Sequence, residues 1–134
     1  MSKSLIYVVN NAETVGAANT AVALGNIVRR KGCAFRMNGT SISLVEAGYY
    51  DIDASATFTG SAAGDITLTV YQDGAPVSGA TVTETVTTAT TENISATIPG
   101  IVRVYCNSTS NISLVPTGTP VPTFSNIAVK VVKE

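Results

Sequence analysis

Ser41-Ile-Ser-Leu-Val-Glu-Ala-Gly-Tyr-Tyr-Asp-Ile-Asp-Ala-Ser-Ala-Thr-Phe-Thr59, followed after a glycine-bearing break by Asp65-Ile-Thr-Leu-Thr-Val-Tyr-Gln-Asp-Gly-Ala-Pro-Val77, is the stretch that decides the fold. Tyr50, Ile52, Ala54, Ala56 and Phe58 alternate with Tyr49, Asp51, Asp53, Ser55, Thr57 and Thr59. Successive strand side chains point to opposite faces of a sheet, so one face meets a core and the other carries hydroxyls and carboxylates. Ile66, Leu68 and Val70 repeat the pattern against Asp65, Thr67 and Thr69, and Asp73-Gly74 supplies the positive φ of a tight hairpin. Gly60-Ser-Ala-Ala-Gly64 lacks the Lys and helix start of a phosphate loop and reads as another hairpin connection.

Outward from this stretch the chain continues as strand and turn. Strands are expected over 4–9, 33–37 closed by Asn38-Gly39, and 42–45. Another runs over 77–87, where Ala80, Val82, Glu84 and Val86 alternate with threonines. A strand over 94–98 is expected to stop at Pro99-Gly100, with Val102, Val104 and Cys106 continuing the inward set, then Ile112 and Leu114. A loop is expected over 116–122, and a last strand over 126–133 turns Ile127, Val129 and Val131 inward. Residues 10–19 read as loop and 21–30 as extended chain kinked at Gly25-Asn26. The Ala-rich run from Thr14 could be a weak helix, but Gly16, Thr20, Val22 and Gly25 argue against one. About nine or ten short strands with turns between them predict an all-β, antiparallel two-sheet sandwich.

The 134 residues suit one domain spanning 1–134, with residues 1–20 as an extended N-terminal strand or anchoring arm. Charged residues make up 13%, against roughly 25% in an ordinary soluble domain. Thr, Ser, Asn and Gly therefore cover the surface, and neighbours repel one another weakly. A net charge of −1 gives no counterion-release drive toward nucleic acid, so none is expected as a partner. The opening apolar run stops at Asn10, too short for a signal-peptide core or a membrane span, so synthesis and folding in a cytoplasm are expected. In that reducing setting Cys33 and Cys106, read as lying in different strands, are expected to be buried thiols. The four Asn-x-Ser/Thr sequons carry no weight without secretion.

The chain contains no His, which removes the commonest general base, the Ser-His pair and most catalytic zinc sites. Asp51 and Asp53 lie two apart on one strand face, within roughly 7 Å, and could resemble an acid/base pair or a calcium site. A solvated polar face, or pairing with a neighbouring Arg, is the preferred reading. Arg29-Arg30-Lys31, followed by Arg36, reads as an electrostatic contact with an acidic partner surface or around a symmetry axis, or, the preferred reading, as a strand end with solvated charges. Tyr49, Tyr50, Tyr71 and Tyr105 could stack sugars, but without Trp they fit core or subunit-interface packing better. No catalytic, metal or cofactor site is expected; Arg29, Arg30, Lys31, Tyr49 and Tyr105 are the candidate assembly contacts.

The block Ile42-Ser-Leu-Val-Glu-Ala-Gly-Tyr-Tyr-Asp-Ile, the run Ile66 to Tyr71 with Asp73-Gly74, and the closing Phe124-Ser-Asn-Ile-Ala-Val-Lys-Val resemble the C1q/TNF-like jelly roll. In that family a Gly-x-Tyr turn opens a long strand and the last strand lies mid-sheet. The resemblance implies a homotrimer, with Tyr49 or Tyr105 beside small residues between subunits. The Lys-Ser-Leu-Ile-Tyr-Val opening, Val28-Arg-Arg-Lys-Gly-Cys and Gly-Tyr-Tyr-Asp-Ile-Asp-Ala are also similar to small virion proteins of phages and prophages of gut Firmicutes and related bacteria. That similarity implies a virion location and a structural role. The implied role is a trimeric capsid decoration protein held to the major capsid protein or another virion protein by residues 1–11 or the basic cluster. The alternative is a fibre head whose loops at 60–64, 87–92 and 116–122 meet a host-surface glycan.

Overall fold

The computed structural model describes residues 4–89, 91–118 and 120–134. Eleven strands follow one another, with no helix among the described residues: β1 (Leu5–Asn10), β2 (Thr14–Val15), β3 (Asn26–Lys31), β4 (Phe35–Asn38), β5 (Ser41–Leu44), β6 (Gly48–Gly60), β7 (Gly64–Gln72), β8 (Ala75–Val86), β9 (Ile94–Val104), β10 (Ser110–Gly118) and β11 (Pro122–Lys133). One sheet has the order β3-β1-β11-β6-β9, with the two-residue β2 beside β11; the other has the order β4-β5-β10-β7-β8. Pairing is antiparallel throughout. The closing strand β11 stands in the middle of the first sheet, as the resemblance implies.

The alternating sets meet between the sheets. Tyr50, Ile52, Ala54, Ala56 and Phe58 of β6 and Ile66, Leu68 and Val70 of β7 are all buried. Phe58 packs on Phe124 with ring centroids 5.8 Å apart. The Gly-x-Tyr turn anchors one end of the core: Tyr50 is fully buried, meets the Phe35 ring edge-on at 5.6 Å, and donates its hydroxyl to the Glu46 carbonyl at 2.6 Å. Burial pushes its phenol above the ordinary tyrosine pKa, so it stays a neutral donor.

Several sequence expectations are corrected. Residues 60–64 are not a hairpin: β6 and β7 lie in different sheets, and the segment crosses from one to the other. Alternation reveals which face of a strand is buried, not which sheet holds it. The true hairpin is β7–β8, where Asp73 (φ 53°) and Gly74 (φ 84°) form the tight turn. Pro99-Gly100 does not end a strand, because β9 is an edge strand and its proline leaves no gap in a second ladder. Gly100 faces inward where the two sheets approach, and a Cβ there would come within 3.1 Å of the Ala80 methyl. Pro116 also lies inside a strand: β10 pairs with β5 only through Ile112, and further on the Pro116 carbonyl accepts the Asn19 amide at 2.9 Å.

Neither cysteine is buried. Cys33 sits in the bend after β3, and Cys106 in the turn after β9, where Asn107 takes φ 61°. Strand alternation ends before it reaches either thiol. They follow opposite edge strands, four strand spacings or about 19 Å apart, so they cannot bridge within one chain. Both should react in native protein with an aromatic disulfide reagent, giving two thiols per chain. A titre that appears only on denaturation would contradict this placement.

Candidate assembly surface

The outward face of the first sheet is read from its register. Two rows cross it without a break: Arg29, Tyr7, Lys130, Asp53, Pro99, and Lys31, Leu5, Val132, Asp51, Ile101. Directly opposed residues share a face, so both rows point away from the core. Small side chains hollow its middle, where Ser55, Thr97 and Ala128 floor a shallow open groove flanked by Tyr7, Lys130 and Asp53.

Toward the β9 edge the face becomes aromatic. Tyr49 stands opposite Arg103, and the Arg103 guanidinium lies 5.5 Å from the Tyr49 ring centre and 4.4 Å from that of Tyr105. A cation held over two rings is pre-positioned and only partly desolvated, a common feature of association surfaces. Ile101 adjoins this cluster. The exposed large apolar residues among the described ones are Val15, Ile27, Val28, Tyr49, Ile101 and Tyr105, between 40% and 69% exposed. All six lie on strands of the first sheet or next to one.

The second sheet turns a different face outward. Thr67 and Thr83 share a hydroxyl hydrogen bond of 2.8 Å, Thr69 and Thr81 one of 3.2 Å, and Thr85 donates to Asp65 at 2.7 Å. Ser43 donates to Asn111 at 2.6 Å. The hydroxyls of this ladder are paired with neighbours on their own sheet.

Of the five candidate contacts, the structure brings Tyr49 and Tyr105 together through Arg103 and places Arg29, Arg30 and Lys31 on the far edge strand, exposed. Asp51 and Asp53 share the outward face, Asp51 between Val132 and Ile101 and Asp53 between Lys130 and Pro99. Sequence reading missed Arg103 and Ile101, which alternate with buried Val102 and Val104; carrying the strand across Pro99-Gly100 would have exposed them. Residues 5–10 are β1, paired on both sides, while residues 1–3 lie outside the described residues.

The connections at 60–64, 87–93 and 119–121 gather at one end of the sandwich, with Thr90 and Thr119 outside the described residues. Ser61 and Val121 tie two of them together. The third is clipped by Glu92, which accepts the Thr87 amide at 2.8 Å and its hydroxyl at 2.9 Å. These bonds, the amide first, hold the Glu92 carboxyl below its ordinary pKa. A carboxyl held low stabilises the clip above its unfolded pKa and loses that effect as pH falls through its folded value. Glu92→Ala is therefore expected to speed exchange of the Thr87 amide at neutral pH and to make no difference once wild-type Glu92 is protonated. Equal protection at neutral pH would rule the clip out.

Two sheets with these strand orders define an antiparallel jelly-roll sandwich. More narrowly, it is a jelly roll of the C1q/TNF type, as solved structures of like fold show. The globular domain of zebrafish complement 1qA protein superposes with a TM-score of 0.68 at 12% identity, covering 96% of this chain and 94% of that one. Murine APRIL at pH 5.0 gives 0.66 at 12% identity, covering 99% of this chain and 100% of that one. No protein-family model matches the sequence, and no curated protein matches it either.

Proposed function

We propose that the chain is a non-enzymatic assembly module that forms a homotrimer through the outward face of its first sheet, and that it serves as a decoration protein on a bacteriophage capsid. The observation that carries the trimer is the segregation of the exposed large apolar side chains to that sheet. Exposed apolar side chains concentrated on one sheet of a charge-poor domain favour association. The C1q/TNF likeness supports a threefold arrangement. The low charge and the similarity to small phage virion proteins support a seat on a capsid, where a trimer matches local threefold positions of the shell. Copurification with intact heads, bound to the major capsid protein, is the expected result; localisation to the tail tip would overturn the decoration role.

A second reading, a fibre head that binds a host-surface glycan, is favoured by the gathering of three connections at one end of the sandwich. A glycan array separates the two. Binding that is lost on substitution within 60–64 or 87–92 supports the fibre head, and a blank array supports decoration.

A further inference from the structure

The two charged rows carry a complementarity that no single chain can use. Arg29 and Lys31 stand two residues apart on edge strand β3, and Asp53 and Asp51 stand two residues apart on β6, in the same two rows and on the same face. Three strand spacings, about 14 Å, separate the basic pair from the acidic pair within a chain. Lys130 lies beside Asp53 in its row. Asp51 has apolar Val132 and Ile101 on either side, so the cation in its own row is the distant Lys31.

A ring is built from heterologous contacts, in which one surface of each copy meets a different surface of the next. Rotation about an axis running along the strands changes the side of the ring but not the height, so each row of one copy meets the same row of its neighbour. Matching charges at matching heights is what such a ring requires. In a two-fold dimer joined edge to edge, by contrast, the β3 edges would meet each other and bring Arg29, Arg30 and Lys31 together.

We infer that neighbouring copies lock by laying the β3 edge of one against the β6–β9 side of the next, with Arg29 opposing Asp53 and Lys31 opposing Asp51. This rests on the trimer reading and adds its contact surfaces and register. The same seat covers the exposed Ile101, which stands in the row of Asp51, so the charges fix the register and apolar burial supplies much of the affinity.

The test uses the full chain in three forms: Arg29→Glu/Lys31→Glu, Asp51→Lys/Asp53→Lys, and all four changes together. Circular dichroism first confirms that each is folded, as expected for side chains that point away from the core. At micromolar concentration wild type should have the mass of three chains, each two-site variant should fall to the mass of one, and the four-site exchange should return to three. Trimers that persist in both two-site variants would overturn the charge register while leaving the trimer intact. Two-site monomers that the four-site exchange fails to restore would overturn the pairing. A monomeric wild type would overturn the trimer itself.

Discussion

Tyr50→Ala is expected to lower the stability of the chain by about 3–5 kcal/mol, the cost of emptying a large buried aromatic site. Typical domains have only about 5–15 kcal/mol in all, so the variant should lose a large share of its stability. The effect is large because Tyr50 joins three things: the Gly48 turn, the Phe35 ring and the Glu46 carbonyl. Tyr50→Phe separates them. It keeps the ring and removes the hydroxyl, and should cost about 1 kcal/mol, the net worth of one partly buried hydrogen bond. Urea unfolding of the three proteins checks both values. A Tyr50→Ala cost near that of Tyr50→Phe would mean that the ring is not the keystone of this end of the core.

Ile101→Asp should have the opposite profile. Its side chain is 60% exposed and points away from the core, so the urea midpoint should move by no more than about 0.5 kcal/mol in stability terms. Association should suffer instead. An added carboxylate beside Asp51, at the apolar centre of a contact, should cost 2 kcal/mol or more, roughly a thirtyfold loss of affinity between copies. Thr83→Asp is the matched control: it adds the same charge to the exposed face of the second sheet, where the threonine ladder lies. Sedimentation equilibrium should show weakened association for Ile101→Asp and none for Thr83→Asp. Equal behaviour of the two would remove the first sheet from the interface.

The alternation through Tyr50 to Phe58 and Ile66 to Val70 made the buried faces legible, because period two is a local property that burial reinforces. Asp73-Gly74 was legible for a similar reason, since its turn demands positive φ. Sheet membership was not. Residues 60–64 look the same whether they reverse a strand within a sheet or carry it across to the other, and only the long-range pairing of β6 with β11 and β9 decides. The prolines misled in the opposite direction. Pro99 and Pro116 are tolerated because one side of each strand has no second strand paired to it at that point, a fact about neighbours distant in sequence. The cysteines failed for want of context: Cys106 continues the spacing of Val102 and Val104, but the strand has already ended.

The candidate surface was half legible. Tyr49, Tyr105 and the basic cluster were visible as residue types, and the register placed the basic cluster on edge strand β3 and Tyr49 on β6, the strand of Asp51 and Asp53, with Tyr105 just past the end of β9. Arg103 gained meaning only when its two aromatic neighbours were in place.

The most direct measurement is the mass of the wild-type chain in solution by light scattering at micromolar concentration. Three chains of 13.7 kDa in one particle is the predicted result. A particle with the mass of a single chain would contradict assembly through the first sheet.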